Sequence, residues 1–341
     1  MHDMKKARRP LLHLAAIAVV LTTAAACTGA PPPAATPEPA SGAATGSAAG
    51  SSAASPTAEL TVLSPAPTGQ ADALTWATYR EATSLDPIVA FDYPENAAVA
   101  TMCESVLRQA PDMTVGPGLT TLTTVSPTTL SFTVQPGAVF WDGAPVTSAD
   151  VEFSLRRAAD PNGGGFYASL FDRVKSITAV SDDTVEIQLT EPDYWLPGEL
   201  SSMPGVVVQK AYAEAKGKDF GTVQGGIMCS GPLKLSSWKT GQGITVVPNP
   251  NYWDSTLPTP QFNQLTLIGV PDDATFTAGV QTGAISGGYF NPLTTLAQLQ
   301  TNPEVNVYQG APFAISAMVV SATDGPMADP RVRQAISYAL D

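Results

Sequence analysis

Residues 140–157, reading FWDGAPVTSADVEFSLRR, constrain local structure more than any other stretch of the chain. Asp142-Gly143 is a tight-turn dipeptide. Thr147 stands where a helix N-cap belongs, and Asp150 follows three residues later as its capping-box partner, near the positive end of the helix dipole. Val151, Leu155 and Ala158 recur at helical spacing, so one face is apolar, while Arg156 and Arg157 fall towards the last turn. The segment predicts a strand, a turn and a capped helix, and none of this requires chemistry.

Alternation elsewhere predicts strands. Leu130, Phe132 and Val134 alternate with polar residues before the turn pair Pro136-Gly137, and Val185, Ile187 and Leu189 repeat the pattern after residues 181–183. Residues 176–180 are the expected hairpin partner of the second run. A further hairpin spans 233–238 and 244–247 around Gly241 and Gly243, with a strand over 265–270 and a short helix over 273–281 ended by Gly283. Such interleaving of strands and helices predicts an α/β architecture with mixed sheets.

The N-terminal region addresses the chain outward. Lys5, Lys6, Arg8 and Arg9 precede an apolar run from 11 to 21, followed by Ala24-Ala25-Ala26 and Cys27. That order reads as a signal peptide over residues 1–27, with Cys27 as the site of lipidation. Ala24 and Ala26 equally suit ordinary signal cleavage. Residues 28–71 are rich in Pro, Ala, Gly, Ser and Thr and nearly uncharged up to about residue 70, which predicts a disordered tether. Random-coil scaling gives it a mean reach of about 35–40 Å.

Composition excludes several chemistries. The two histidines, His2 and His13, lie in the leader, so imidazole bases, Ser-His-Asp sites and His-based metal sites are excluded from the rest. No phosphate-loop motif is present. A net charge of −13 and a pI near 4.5 argue against nucleic acid as a partner. Carboxylates are plentiful, but an acidic surface serves solubility first. The expectation is a protein without catalysis, metal or cofactor. Besides Cys27 there are Cys103 and Cys229, readable as an extracytoplasmic disulfide or as two buried thiols.

Several short motifs, in order, resemble those of the extracellular solute-binding proteins of peptide and nickel ABC importers (family 5). They are the turn and capped helix at 140–157, Ser84-Leu85-Asp86-Pro87, Ser230-Gly231-Pro232-Leu233-Lys234-Leu235, Asn249-Pro250-Asn251-Tyr252-Trp253, and Asp329-Pro330-Arg331-Val332-Arg333-Gln334-Ala335. Leu233 departs from the family's aromatic at that position. Gly283-Ala284-Ile285-Ser286 stands where two carboxylates are typical. The resemblance implies a type II periplasmic-binding-protein clamp of two lobes: a first lobe over 72–305 with a subdomain inserted at about 106–204, and the start of a second over 306–341. Because Cys103 and Cys229 then share the first lobe, the resemblance favours their disulfide.

By the same resemblance, the function is capture of oligopeptides or a related solute for an ABC permease, by a monomer anchored at the outer face of the cytoplasmic membrane. The alternative is an extracytoplasmic sensor or envelope-interaction lipoprotein on the same fold. The segment implied to touch ligand is 91–96, with Tyr93, Glu95 and Asn96 as contacts and Ser84 as loop support. Tyr289 and Phe290 are candidates for lining the cleft, although core packing is the commoner fate of such rings. Tyr252, Trp253 and Trp238 read as packing anchors. Val332, Ala335, Ile336, Ala339 and Leu340 form an apolar stripe just before the last residue, Asp341. That ending leads to the expectation of a C-terminally truncated receptor, with most of the second lobe missing and poor peptide binding, if any, by residues 72–341 alone.

Overall fold

The computed structural model describes residues 66–289, 293–308, 320 and 323–339. In chain order the elements are β1 (Ala71–Thr78), α1 (Tyr93–Met102), β2 (Leu107–Gln109), β3 (Val115–Pro117), β4 (Thr120–Ser126), β5 (Thr129–Val134), α2 (Ser148–Ala159), β6 (Val174–Ala179), β7 (Thr184–Leu189), α3 (Leu196–Glu199) and α4 (Lys210–Lys216). They continue with β8 (Leu233–Lys239), β9 (Gly243–Pro248), β10 (Phe262–Gly269), α5 (Asp273–Gln281), β11 (Gly287–Gly288), α6 (Leu293–Gln300) and α7 (Pro330–Ala339).

One sheet of five strands has the order β11-β1-β10-β9-β8. β1 runs parallel to both β10 and β11, whereas β8, β9 and β10 are antiparallel. A second sheet, β4-β5-β7-β6, is antiparallel throughout, and a short pair joins β2 to β3. The alternating residues Leu130, Phe132 and Val134 of β5 and Val185, Ile187 and Leu189 of β7 are all buried. They pack with Val151 and Leu155 of α2 in one core. A separate core gathers Val99 and Met102 of α1 with Val246, Leu267 and the two cysteines Cys103 and Cys229. Those cysteines form a disulfide tying the C-cap of α1 to the segment before β8.

The cap at α2 forms and reaches further than its motif predicts. The backbone N–H and the hydroxyl of Thr147 both donate to Asp150, at 3.0 and 2.7 Å. The other Asp150 oxygen accepts from the backbone N–H of Lys210 at 2.9 Å, so one carboxylate caps α2 and the first residue of α4 together. Arg157 serves its own helix end less than the loop before α1. Its guanidinium makes two bonds to Asp86, at 2.6 and 3.1 Å. That loop lies tightly on Gly221, which has φ +73°, and a Cβ there would stand 2.5 Å from Asp86.

Tyr252 and Trp253 do more than pack. The Tyr252 hydroxyl and the Trp253 indole N–H donate to the buried carboxylate of Glu104 at 2.8 and 2.7 Å. Ser230 donates to it at 2.8 Å and Arg108 at 3.2 Å. Burial raises the Glu104 pKa above its ordinary range, against the pull of these donors. The sequence pattern does not reveal this network, because Glu104 is distant along the chain from all of its partners but Arg108.

Candidate functional site

In an open α/β sheet, the carboxyl ends of parallel strands are where ligands are usually met, because the connecting loops there leave a crevice. In this chain those ends belong to β1, β10 and β11. β1 leads into Tyr79 and Arg80, and the chain returns through residues 81–92 to start α1 with Asp92 as N-cap. Asp92 accepts the backbone N–H of Tyr93 at 2.8 Å and the hydroxyl of Tyr79. β11 is two glycines for a steric reason. A Cβ on Gly287 would stand 2.8 Å from the Trp76 ring, and one on Gly288 2.6 Å from the carbonyl of Ala77. Their close approach sets Tyr289 beside the end of β1, where its N–H donates to Ala77 at 3.1 Å.

The result joins two of the expected residues. Tyr93 and Tyr289 stack with centroids 4.4 Å apart and planes 17° from parallel, and both keep 42% of their surface exposed. The Tyr289 hydroxyl has its pKa raised by its hydrogen bond with Tyr93 and by burial. Core packing is therefore not the fate of Tyr289. Phe290, like Cys27, lies outside the described residues.

A second ring pair stands one residue upstream of Asp92. Phe91 and Phe166 lie 4.6 Å apart at 54°, and are 61% and 57% exposed. The loop carrying Phe166 is docked there by its own N–H to Ile88, at 2.9 Å, and by the Tyr167 hydroxyl to Ala90. Phe91 lies inside the segment implied by sequence to touch ligand, but nothing local announces Phe166 as its partner.

Glu95 and Asn96 face inward instead. Glu95 is 2% exposed, and its oxygens accept from Arg80 at 2.6 and 2.8 Å and from the Thr83 N–H and hydroxyl at 2.8 and 3.0 Å. Arg80 also donates to Asp92 at 2.7 Å. Burial works against both carboxylates, but these hydrogen bonds hold Asp92 and Glu95 below their ordinary range. Glu95, expected as a ligand contact, uses its hydrogen-bonding capacity to shape the loop. The side-chain oxygen of Asn96 is buried with no hydrogen-bond partner. Ser84 supports the loop, donating to Gly221 at 3.2 Å and accepting from Asp86 at 3.0 Å. Ser286 accepts the Thr75 N–H at 3.0 Å.

The ring-lined site is an open face. A hollow of about 450 Å³ lies elsewhere, beside Glu104, Arg108, Met203 and Tyr252. Among the described residues, no group of three or more His, Cys, Asp or Glu side chains is placed to hold a metal ion.

Known proteins share this architecture. The model of the bacterial extracellular solute-binding proteins, family 5 Middle, matches residues 114–341. The glutathione-binding protein GsiB of Pectobacterium atrosepticum is 27% identical over 261 residues, covering 76% of this chain and 50% of that protein. GsiB of Salmonella typhimurium matches with the same identity and coverage. The chain thus spans about half the length of the curated relatives it matches. Among solved structures, the Escherichia coli murein tripeptide binding protein MppA superposes with a TM-score of 0.69 at 24% identity, covering 81% of this chain and 56% of that one. The binding protein MoaA of A. tumefaciens R10, in complex with mannopinic acid, superposes at 0.71 with 23% identity, covering 80% and 56%. The fold over this span is that of type II periplasmic binding proteins. The chain belongs to the bacterial extracellular solute-binding proteins of family 5.

Proposed function

We propose that this chain captures short peptides, or a closely related solute, outside the cytoplasmic membrane for delivery to an ABC permease. The carrying observation is the stacked, half-exposed pair of Tyr93 and Tyr289 at the carboxyl end of β1 in a family-5 chain. Relatives named for glutathione, murein tripeptide and peptide binding support the solute class. Backbone hydrogen bonds and ring contacts suit a ligand whose main chain is constant and whose side chains vary. The role is binding without transformation. The division follows the same reading: a first lobe over 72–305 with a subdomain at about 106–204, and the opening of a second lobe from 306.

Cys27 and the tether after it supply the anchor in this proposal, holding a monomer at the membrane surface. Mass spectrometry of the membrane-extracted protein is expected to find a mature chain beginning at a diacylglyceryl-modified Cys27. A soluble chain cleaved after Ala26 and unmodified would refute the anchor. For capture, ligand-observed NMR on the full chain is expected to give saturation transfer to di- to pentapeptides and none to free sugars. Transfer to the sugars alone would reject peptide capture.

A further inference from the structure

The hollow beside Glu104 has an apolar wall and a polar floor that is already spoken for. Ala100, Leu107, Met203, Val206, Pro232 and Leu257 line it. One Glu104 oxygen accepts from Arg108 and Tyr252 and the other from Ser230 and Trp253, which takes its four acceptor sites. Arg108 divides its guanidinium between Glu104 and Asp254, both at 3.2 Å. The lining serines 105, 201 and 202 each donate to a backbone carbonyl. What the hollow offers an occupant is therefore mainly aliphatic surface.

The chain entering β1 passes close to it. β8 pairs antiparallel with β9, and β9 with β10, which runs parallel to β1, so β8 and β1 point the same way. Leu235, Val246, Leu265 and Leu74 stand side by side across these four strands. Pro232 and Ala71, each three residues earlier, share one edge of the sheet, about 14 Å apart at three strand spacings. The approach to β1 lies on the β10 side, where Gln70 donates to Asn263 at 3.3 Å and the Ala71 N–H to Gln261, four residues after Leu257. Residues 28–70 are otherwise Pro, Ala, Gly, Ser, Thr and a few polar residues, but they hold three large apolar side chains, Leu60, Val62 and Leu63. Leu63 precedes Ala71 by eight residues, a reach of up to about 26–29 Å when extended. So short a leash gives the segment an effective concentration of about millimolar at the hollow.

We infer that Leu60, Val62 and Leu63 seat in this hollow as a strap formed by the chain's own tether. Seating removes the three side chains and the apolar wall from water together. Copies of a chain with net charge −13 repel one another, which favours the chain's own segment over that of a second copy. The tether then leaves the body beside Cys103, the C-cap of α1, and Tyr93 begins the other end of that helix, about 15 Å away. The ring-lined face is thereby kept clear of the tether, whatever the solute.

Thermolysin, which cuts before Leu and Val, tests the strap on the full chain, with a synthetic peptide of residues 56–70 as the unprotected reference. Cleavage tracks the population of the opened segment, so the full chain is expected to be cut at 60–63 about tenfold more slowly than the peptide. Leu257→Asp, at a half-buried lining position, is expected to restore the peptide's rate. In the reciprocal test, Leu60→Ser, Val62→Ser and Leu63→Ser combined are expected to speed oxidation of Met203 by hydrogen peroxide about threefold or more. That variant alters no described element, so it decides the matter if Leu257→Asp fails to fold. Cleavage of the full chain at the peptide's rate overturns the strap. Protection that persists in folded Leu257→Asp, or Met203 oxidation unchanged in the triple variant, also overturns it by seating the segment elsewhere. Protection lost on dilution overturns it as well, by assigning the hollow to a second copy.

Discussion

Arg80 holds both carboxylate oxygens of Glu95, at 2.6 and 2.8 Å, across a turn of chain that carries the whole first loop. Glu95 is buried, so the pair is a structural clasp whose failure strands a charge rather than merely losing a contact. Replacing Arg80 with Met is expected to cost about 2–3 kcal/mol. That is below the 3–5 kcal/mol typical of breaking a fully buried pair, because the Arg80 side chain is 36% exposed. Urea denaturation at pH 7 measures it. The sign with pH follows from the lowered folded pKa of Glu95: its contribution is present above the ordinary value of 4.5 and is lost as pH falls through the folded value. The gap between wild type and Arg80→Met therefore narrows below about pH 4.

The disulfide between Cys103 and Cys229 closes a loop of 126 residues in sequence separation. A loop of that length restricts the unfolded chain by about 4–5 kcal/mol on the chain-entropy model. The double replacement Cys103→Ala with Cys229→Ala is expected to lose about 3–5 kcal/mol, since both sites are buried and alanine leaves small voids. Denaturation of the oxidised protein, with and without a reductant, gives an independent reading of the same loss. Equal stability in the two states would contradict it.

Tyr252 distinguishes a donor from a packing anchor. Tyr252→Phe keeps the ring and removes only the hydroxyl that donates to Glu104 at 2.8 Å. A hydrogen bond to a buried charge is worth about 1.5–3 kcal/mol, so that loss is expected where Glu104 is ionised. Burial raises the folded pKa of Glu104, so its contribution to stability is fullest in acid and declines as pH climbs through that raised value. The variant weakens the charged form further. Its deficit is therefore smaller in acid and grows as pH rises through that raised value, a charge-dependent loss centred at higher pH than that of Arg80→Met. Denaturation midpoints over pH 3–8 check both slopes.

Legibility in the sequence tracks distance along the chain. The turn, cap and apolar face of α2 are set by residues within one helical turn of each other, and the buried alternation of β5 and β7 by a period of two. Sequence points to Tyr93 and Tyr289 separately, but their stacking depends on a parallel strand pairing that brings β11 to β1. The same non-locality hides the partnership of Phe91 with Phe166 and the donors around Glu104. Glu95 misleads for a different reason. A carboxylate beside a helix start looks available until Arg80, placed just past a strand end, takes it.

Asn96 carries the last prediction, because a ligand contact and a scaffold residue respond differently to truncation. As a solute contact it would lose binding. As the structure places it, the side-chain oxygen is buried with no partner, a condition that costs about 1–3 kcal/mol. It also sits in the first turns of α1, where alanine forms helix better than asparagine by several tenths of a kcal/mol. Asn96→Ala is therefore expected to raise stability by about 1 kcal/mol, the remainder being offset by lost packing, while affinity for short peptides stays within about twofold. Urea denaturation and a ligand-observed NMR titration read the two quantities separately. A stability gain with unchanged affinity assigns Asn96 to the scaffold of the site, whereas a roughly tenfold loss of affinity at unchanged stability would return it to the solute.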